Sequence, residues 1–276
     1  MNNLEGNVLV PYDFSHVAKN AVAHSLIIST HLNVGITLLH IIDKVKQQDE
    51  FEAKLEEDAK ELSKLHGKEI SYIVRQGSIF RTIKRVATEM SSALIVMGTH
   101  GLKGIQKLTG SRALKVIAGS RIPFLVVQDA PKEGLEYNKL VFPVDFKREN
   151  KEKLKWVDFM FEYFKSKIFL ITNTSKGIIE KRTQANLSFS TTFLEQRGID
   201  YELITLDTKK DFSQGTIDFT KERDADLIII MTTRDLSFQN YIVGPQEQYM
   251  IANEEKIPVL VINPRTDLVR YGYSNL

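Results

Sequence analysis

Residues 97–111 read MGTHGLKGIQKLTGS, a stretch with four glycines, three hydroxyl residues and two lysines directly after the apolar run ALIVM. Glycines carry no Cβ, so such a loop reaches positive φ and lets a ligand approach the main chain. Successive amides turned inward form an anion nest. A helix opening on Gly110-Ser111 would add unpaired N–H groups and the positive end of its dipole. The Ser111 hydroxyl would then bond the same anion or act as the helix N-cap. The chemistry that suits this loop is polyphosphate binding. It is not a Walker A loop, because residues 104–111 lack the Gly-Lys-Ser/Thr ending, and no Gly-x-Gly-x-x-Gly follows the first apolar strand. A second polar candidate is Asp13 in VPYDFS, either a ligand acceptor or a cap for the helix that follows. The histidines at 16, 24, 31, 40, 66 and 100 show no paired ligand spacing with a carboxylate, so no zinc site is expected. His100 reads as a loop residue.

These groups need elements to position them. The segments NVLVPYD, GITLLHIID, EISYIVRQG, ALIVM and PFLVVQ read as strands. Between them, residues 18–32, 49–67 and 79–90 carry apolar residues at helical spacing, with Phe51, Leu55, Ala59 and Leu62 on one face before Gly67. A short helix is expected from Ser111. Strands apolar on both faces and alternating with helices predict a parallel sheet between helix layers. The pattern then repeats: NVLVPYDFS matches KLVFPVDFK, SSALIVMGTHG matches DADLIIIMTTRD, and RIPFLVVQD matches KIPVLVINP. A period this long, occurring twice, marks a duplicated domain. The expected division is 1–130, a polar linker at 131–138, and 139–276. The fold class is therefore α/β, with two tandem doubly wound, Rossmann-like domains of five parallel strands each. Trp156 and the aromatics around it read as core.

Composition narrows the partners. Hydrophobic residues make up 42% and charged residues 26%, with a net charge of +2, which argues against a nucleic-acid binder. There is no cysteine, which removes disulfides, thiol catalysis and Cys-ligated metals. No apolar run nears the roughly 20 residues a membrane helix needs. The opening MNNLEGNVLVPYDFS has no signal-peptide pattern, so the expected location is the cytoplasm.

The ordered set VPYDFS, LLHIID, MGTHG, TGS and IPFLVV resembles the universal stress proteins, and the resemblance spans nearly the whole chain as a tandem pair. It implies an adenine nucleotide, ATP or AMP, with or without Mg2+. It also implies roles by position: Pro11 shapes the turn before Asp13, and Asp13 meets the ribose or a phosphate-bound metal. Ile41 offers backbone groups to adenine, Gly98 and Gly101 line the ribose and α-phosphate, and Gly110 and Ser111 hold the outer phosphates. The spacer between Gly101 and Gly110 is eight residues, one shorter than the family's pattern. The resemblance further implies that the two last strands, PFLVVQ and PVLVIN, face each other as an intramolecular pseudo-dimer; a homodimer of chains stays open. Lys103, Lys107 and Arg112 would add positive charge.

The second copy sets Thr232 against Gly98, Asp235 against Gly101 and Pro245 against Ser111. The expectation is a scaffold that has lost its phosphate site. The expected role is nucleotide-dependent signalling in stress. A slow ATPase or phosphotransferase using Thr99, His100, Thr109 or Ser111, with no evident base, is a second reading, and a nucleotide-free interaction protein a third.

Overall fold

The computed structural model describes residues 6–99, 116–117, 120–145, 150–173, 178–206, 211–235 and 240–263. The first series of elements is β1 (Asn7–Pro11), α1 (His16–Leu32), β2 (Gly35–Ile42), α2 (Gln48–His66), β3 (Ile70–Gln76), α3 (Ile79–Glu89), β4 (Leu94–Gly98) and β5 (Phe124–Val127). The second is β6 (Lys139–Pro143), α4 (Asn150–Phe164), β7 (Lys167–Asn173), α5 (Ile178–Gln196), β8 (Tyr201–Leu206), α6 (Phe212–Glu222) and β9 (Leu227–Met231). It continues through β10 (Thr233–Asp235), β11 (Asn240–Ile242), α7 (Pro245–Ile251) and β12 (Val259–Ile262).

Local chemistry explains the boundaries. Ser15 caps α1 by accepting from the Ala18 amide at 3.3 Å, and Asn33 ends the helix in the left-handed region at φ 53°. Lys165 ends α4 with the same φ. Gly67 closes α2 at φ 62°, after Leu55 and Ala59 have buried one helical face beside Phe51 and Leu62.

Ten of the described strands form one sheet in the order β3-β2-β1-β4-β5-β12-β9-β6-β7-β8, and β10 and β11 pair separately. Its neighbours are parallel except β5 and β12, which run antiparallel with Leu125 opposite Leu260. The order reverses direction between β1 and β4 and again between β6 and β9, so each half has a topological switch point. Apolar side chains fill both faces of the sheet: Val8, Val10, Ala21 and Trp156 on one, Leu9, Ile95, Val126 and Val259 on the other. Each larger one removed from water contributes roughly 1.5–3 kcal/mol. Polar links tie the seam. The Gln128 amide donates to Ile251 O at 3.3 Å and Asn253 O at 2.9 Å, and the Asn263 amide donates to Ile117 O at 2.7 Å and Ser120 O at 3.1 Å. Among the described residues no helix is long and apolar enough to cross a membrane.

The ladder corrects one sequence match. In the first half Ile95 faces Phe124 and Gly98 faces Val127; in the second Ile228 faces Val259 and Met231 faces Ile262. Gly98 therefore corresponds to Met231, and Thr99, not Gly98, corresponds to Thr232. The pairing of Asp235 with Gly101 lies outside the described residues. In the second copy the antiparallel pair β10–β11 follows this point.

Candidate functional site

Strands β1 and β4 are parallel neighbours, so their carboxyl ends emerge side by side at the first switch point. Pro11 ends β1, and the Tyr12 amide extends the ladder by donating to Leu39 O at 2.8 Å. Asp13 follows, exposed. Its Oδ1 accepts from the Ser15 amide at 3.1 Å, while Ser15 caps the helix. Of the two readings open for Asp13, the direct helix cap is thus taken by Ser15.

Phe14 holds the turn in place. Its φ of 64° is unusual for a bulky residue and costs roughly 1–2 kcal/mol. Ring contacts offset this: Tyr12, His40 and Phe51 lie at centroid distances of 5.3, 4.9 and 6.0 Å, and Lys54 Nζ lies 4.2 Å from the ring. The His40 Nδ1–H donates to Tyr12 O at 2.7 Å, and the Tyr12 hydroxyl donates to Asp58 at 2.7 Å. Burial, then the Asp58 bond, raises the Tyr12 phenol well above its ordinary range.

Ile41 lies near the end of β2, paired on its far side with Arg75 of β3. The Leu39 carbonyl points toward β1, so strand alternation turns the Ile41 main-chain groups the same way, past the point where β1 has ended. Among the described residues no β1 group pairs with that edge.

Packing alone keeps a side chain off Gly98. A Cβ there would meet Val17 O at 2.0 Å and Val17 C at 2.4 Å, so the missing side chain is explained by the close passage of the first turn of α1. Thr99, next along, is buried; its amide donates to Val127 O at 2.8 Å. Gly101, Gly110 and Ser111 lie outside the described residues, as do His100, Lys103, Lys107, Thr109 and Arg112. The structure therefore brings Pro11, Asp13, Ile41 and Gly98 to one end of the sheet. Among the described residues there is no group of three or more His, Cys, Asp or Glu able to hold a metal ion.

At the second switch point Pro143, Asp145, Lys153, Met231, Thr232 and Glu247 border a crevice of about 440 Å³, open to solvent. Matching Asn33 to Lys165 at the helix ends sets Lys153 where the first half has Ala21. Its buried ammonium donates to Pro143 O at 2.7 Å and lies 4.7 Å from the Phe142 ring. Glu247 is also buried, with Oε2 folded so close to Gly244 that a Cβ there would lie 2.3 Å away. The sequence reading passed over both residues. A lysine in the apolar row of a helix whose twin carries alanine was the available signal.

The family model for the universal stress protein family matches residues 6–128. A universal stress protein of Methanocaldococcus jannaschii is 28% identical, over 48% of this chain and 86% of that protein. Among solved structures, a universal stress protein from Archaeoglobus fulgidus superposes with a TM-score of 0.73 at 19% identity, covering 94% of this chain and 96% of its own. One from Pseudomonas aeruginosa, described as a putative universal stress protein, gives 0.65 at 17% identity, covering 95% of each.

Proposed function

From a chain whose N-terminal half belongs to the universal stress protein family, we propose a regulatory protein that binds one adenine nucleotide, ATP or AMP, at the first switch point. The observation that supports this best is the exposed Asp13 carboxylate at the end of β1, beside the main-chain edge of Ile41 that β1 leaves uncovered. A carboxylate accepts from ribose hydroxyls, and an open strand edge offers both a donor and an acceptor to adenine. Pro11, with its φ fixed, sets the turn between them. The glycine-rich stretch ending at Gly110-Ser111 would hold the phosphates, with Gly101 giving close access to the main chain. Magnesium suits this arrangement only as a partner of the phosphates: Mg2+ is commonly held by one or two carboxylates plus phosphate oxygens, and Asp13 is the available carboxylate. On this reading the chain divides at 131–138, works in the cytoplasm, and has a second domain that keeps the scaffold without the nucleotide.

The seam gives occupancy a route to the second half, since Asn263 grips the Ile117–Ser120 turn of the first. The proposed output is a change in how the two halves present themselves to a protein partner. Calorimetric titration with ATP and magnesium tests the proposal. Saturable binding that AMP competes for is expected; a flat titration with freshly purified, nucleotide-stripped protein overturns it.

A further inference from the structure

Among the described strands the large sheet ends in two edges, β3 and β8, and the two are finished differently. An edge strand turns alternate main-chain groups outward, where they offer a template to another strand unless something covers them. On β3 the Gly77 amide donates inward to Ile42 O, so Ile70, Tyr72, Val74 and Gln76 form the outward set. Side chains cover part of that set. Ser63 Oγ accepts from the Ile70 amide at 3.0 Å, and the Arg75 guanidinium donates to Val74 O at 3.1 Å. On β8 the Ile168 amide of β7 donates to Asp200 O at 3.1 Å, which leaves Tyr201, Leu203 and Thr205 as the outward set. Among the described residues nothing bonds to the outward main-chain groups of these three.

The side chains of β8 do not guard it either. Its sequence, YELITL, has no Pro, Lys or Arg, the residues that usually protect an edge. Leu203 is 46% exposed and shares a face with Tyr201. The one charge, Glu202, is bridged within the chain by Lys167 at 3.7 Å and Arg223 at 3.1 Å. We propose that β8 is a self-pairing edge, which joins the sheet of a second copy of this chain about a two-fold axis at Leu203. Self-complementarity identifies the occupant. Antiparallel pairing about Leu203 sets Tyr201 opposite Thr205 of the second copy and Leu203 opposite its own twin, so each outward N–H meets an outward C=O. Glu202 then lies opposite Ile204 of the second copy, so no like charges meet, and the two exposed leucines cover each other. The other edge does not qualify, because Ser63 and Arg75 already hold two of its outward groups.

Sedimentation velocity of the full chain tests this between about 5 and about 200 μM, the range in which a small interface associates. The unaltered protein should pass from monomer to dimer as concentration rises. Leu203→Lys sets two ammonium groups against each other on the two-fold axis and should weaken association at least about tenfold. Mixing Leu203→Lys with Leu203→Glu should restore it, because a two-fold at this residue brings the opposite charges together. Thr205→Pro removes an outward N–H that the β7 ladder does not use, so it should abolish the dimer and leave the circular dichroism of the fold unchanged. Tyr72→Lys, in the outward set of β3, should leave association as it is. A monomer at every concentration overturns the proposal. So does a dimer that survives both Leu203→Lys and Thr205→Pro, or a mixture of the two Leu203 variants that stays monomeric.

Discussion

The two halves share a strand order and a helix frame, yet their switch points are built from different side chains. Where the first has Ala21, Gly98 and the glycine-rich stretch, the second has Lys153, Met231 and the β10–β11 pair. In the first half small residues let helix α1 come within van der Waals contact of the end of β4, and Asp13 is left facing solvent. In the second a buried ammonium spans the same corner, and main-chain groups that could turn toward an anion are drawn into a two-stranded ladder. Duplication preserved what the sheet needs and released what the crevice needs. The second switch point thus differs from the first in its backbone pairing and in the buried Lys153.

Four changes break or sharpen this contrast. The largest effect is expected from Gly98→Ala, which sets a methyl group against the Val17 carbonyl; overpacking against backbone costs roughly 3 kcal/mol. Denaturant unfolding checks it, and a loss under 1 kcal/mol would mean that α1 is not held against β4 as described.

Acid should act through the first half, because the six histidines all lie there. His24 corresponds to Trp156 and is buried against Tyr137, Nδ1 accepting from the Tyr137 hydroxyl at 2.5 Å and Nε2–H donating to Asp129 O at 3.1 Å. Burial pushes its pKa down from 6.5 to about 4, partly opposed by the Asp129 carbonyl. A folded pKa below the unfolded one means stability is fully present above pH 6.5 and is lost as pH falls toward 4. The loss amounts to roughly 3 kcal/mol. Melting curves of His24→Phe should show a flatter pH dependence across that window than the unaltered chain.

Asp13→Ala should weaken nucleotide binding about ten- to a hundredfold, the worth of a charge-assisted hydrogen bond, while the twin change Asp145→Ala leaves it alone. Equal effects would erase the distinction between the crevices. Lys256→Ala should matter least: its bridge to Asp129 crosses the seam at 2.8 Å, but both side chains are half exposed, so a change within about 0.5 kcal/mol is expected in urea titrations.

Strands, helix faces and the duplication were legible because apolar runs and period-3.6 rows are written directly in residue type. The pairing of β5 with β12 followed only from resemblance. The correspondence of Gly98 was misread because the matching methionines, Met97 and Met231, suggested an offset of 134, whereas the ladder imposes 133. An identity match weighs one side chain; a hydrogen-bonded register weighs a whole strand. Lys153 escaped notice because its burial depends on a carbonyl, Pro143 O, that no local pattern announces.

The central claim, that the first switch point takes a nucleotide and the second does not, is tested most directly by crystals grown with ATP and magnesium. The account predicts nucleotide density at the end of β1, with the ribose against Asp13 and the adenine along Ile41, and none between Pro143 and Met231. Density in the second crevice, or in both, would contradict it.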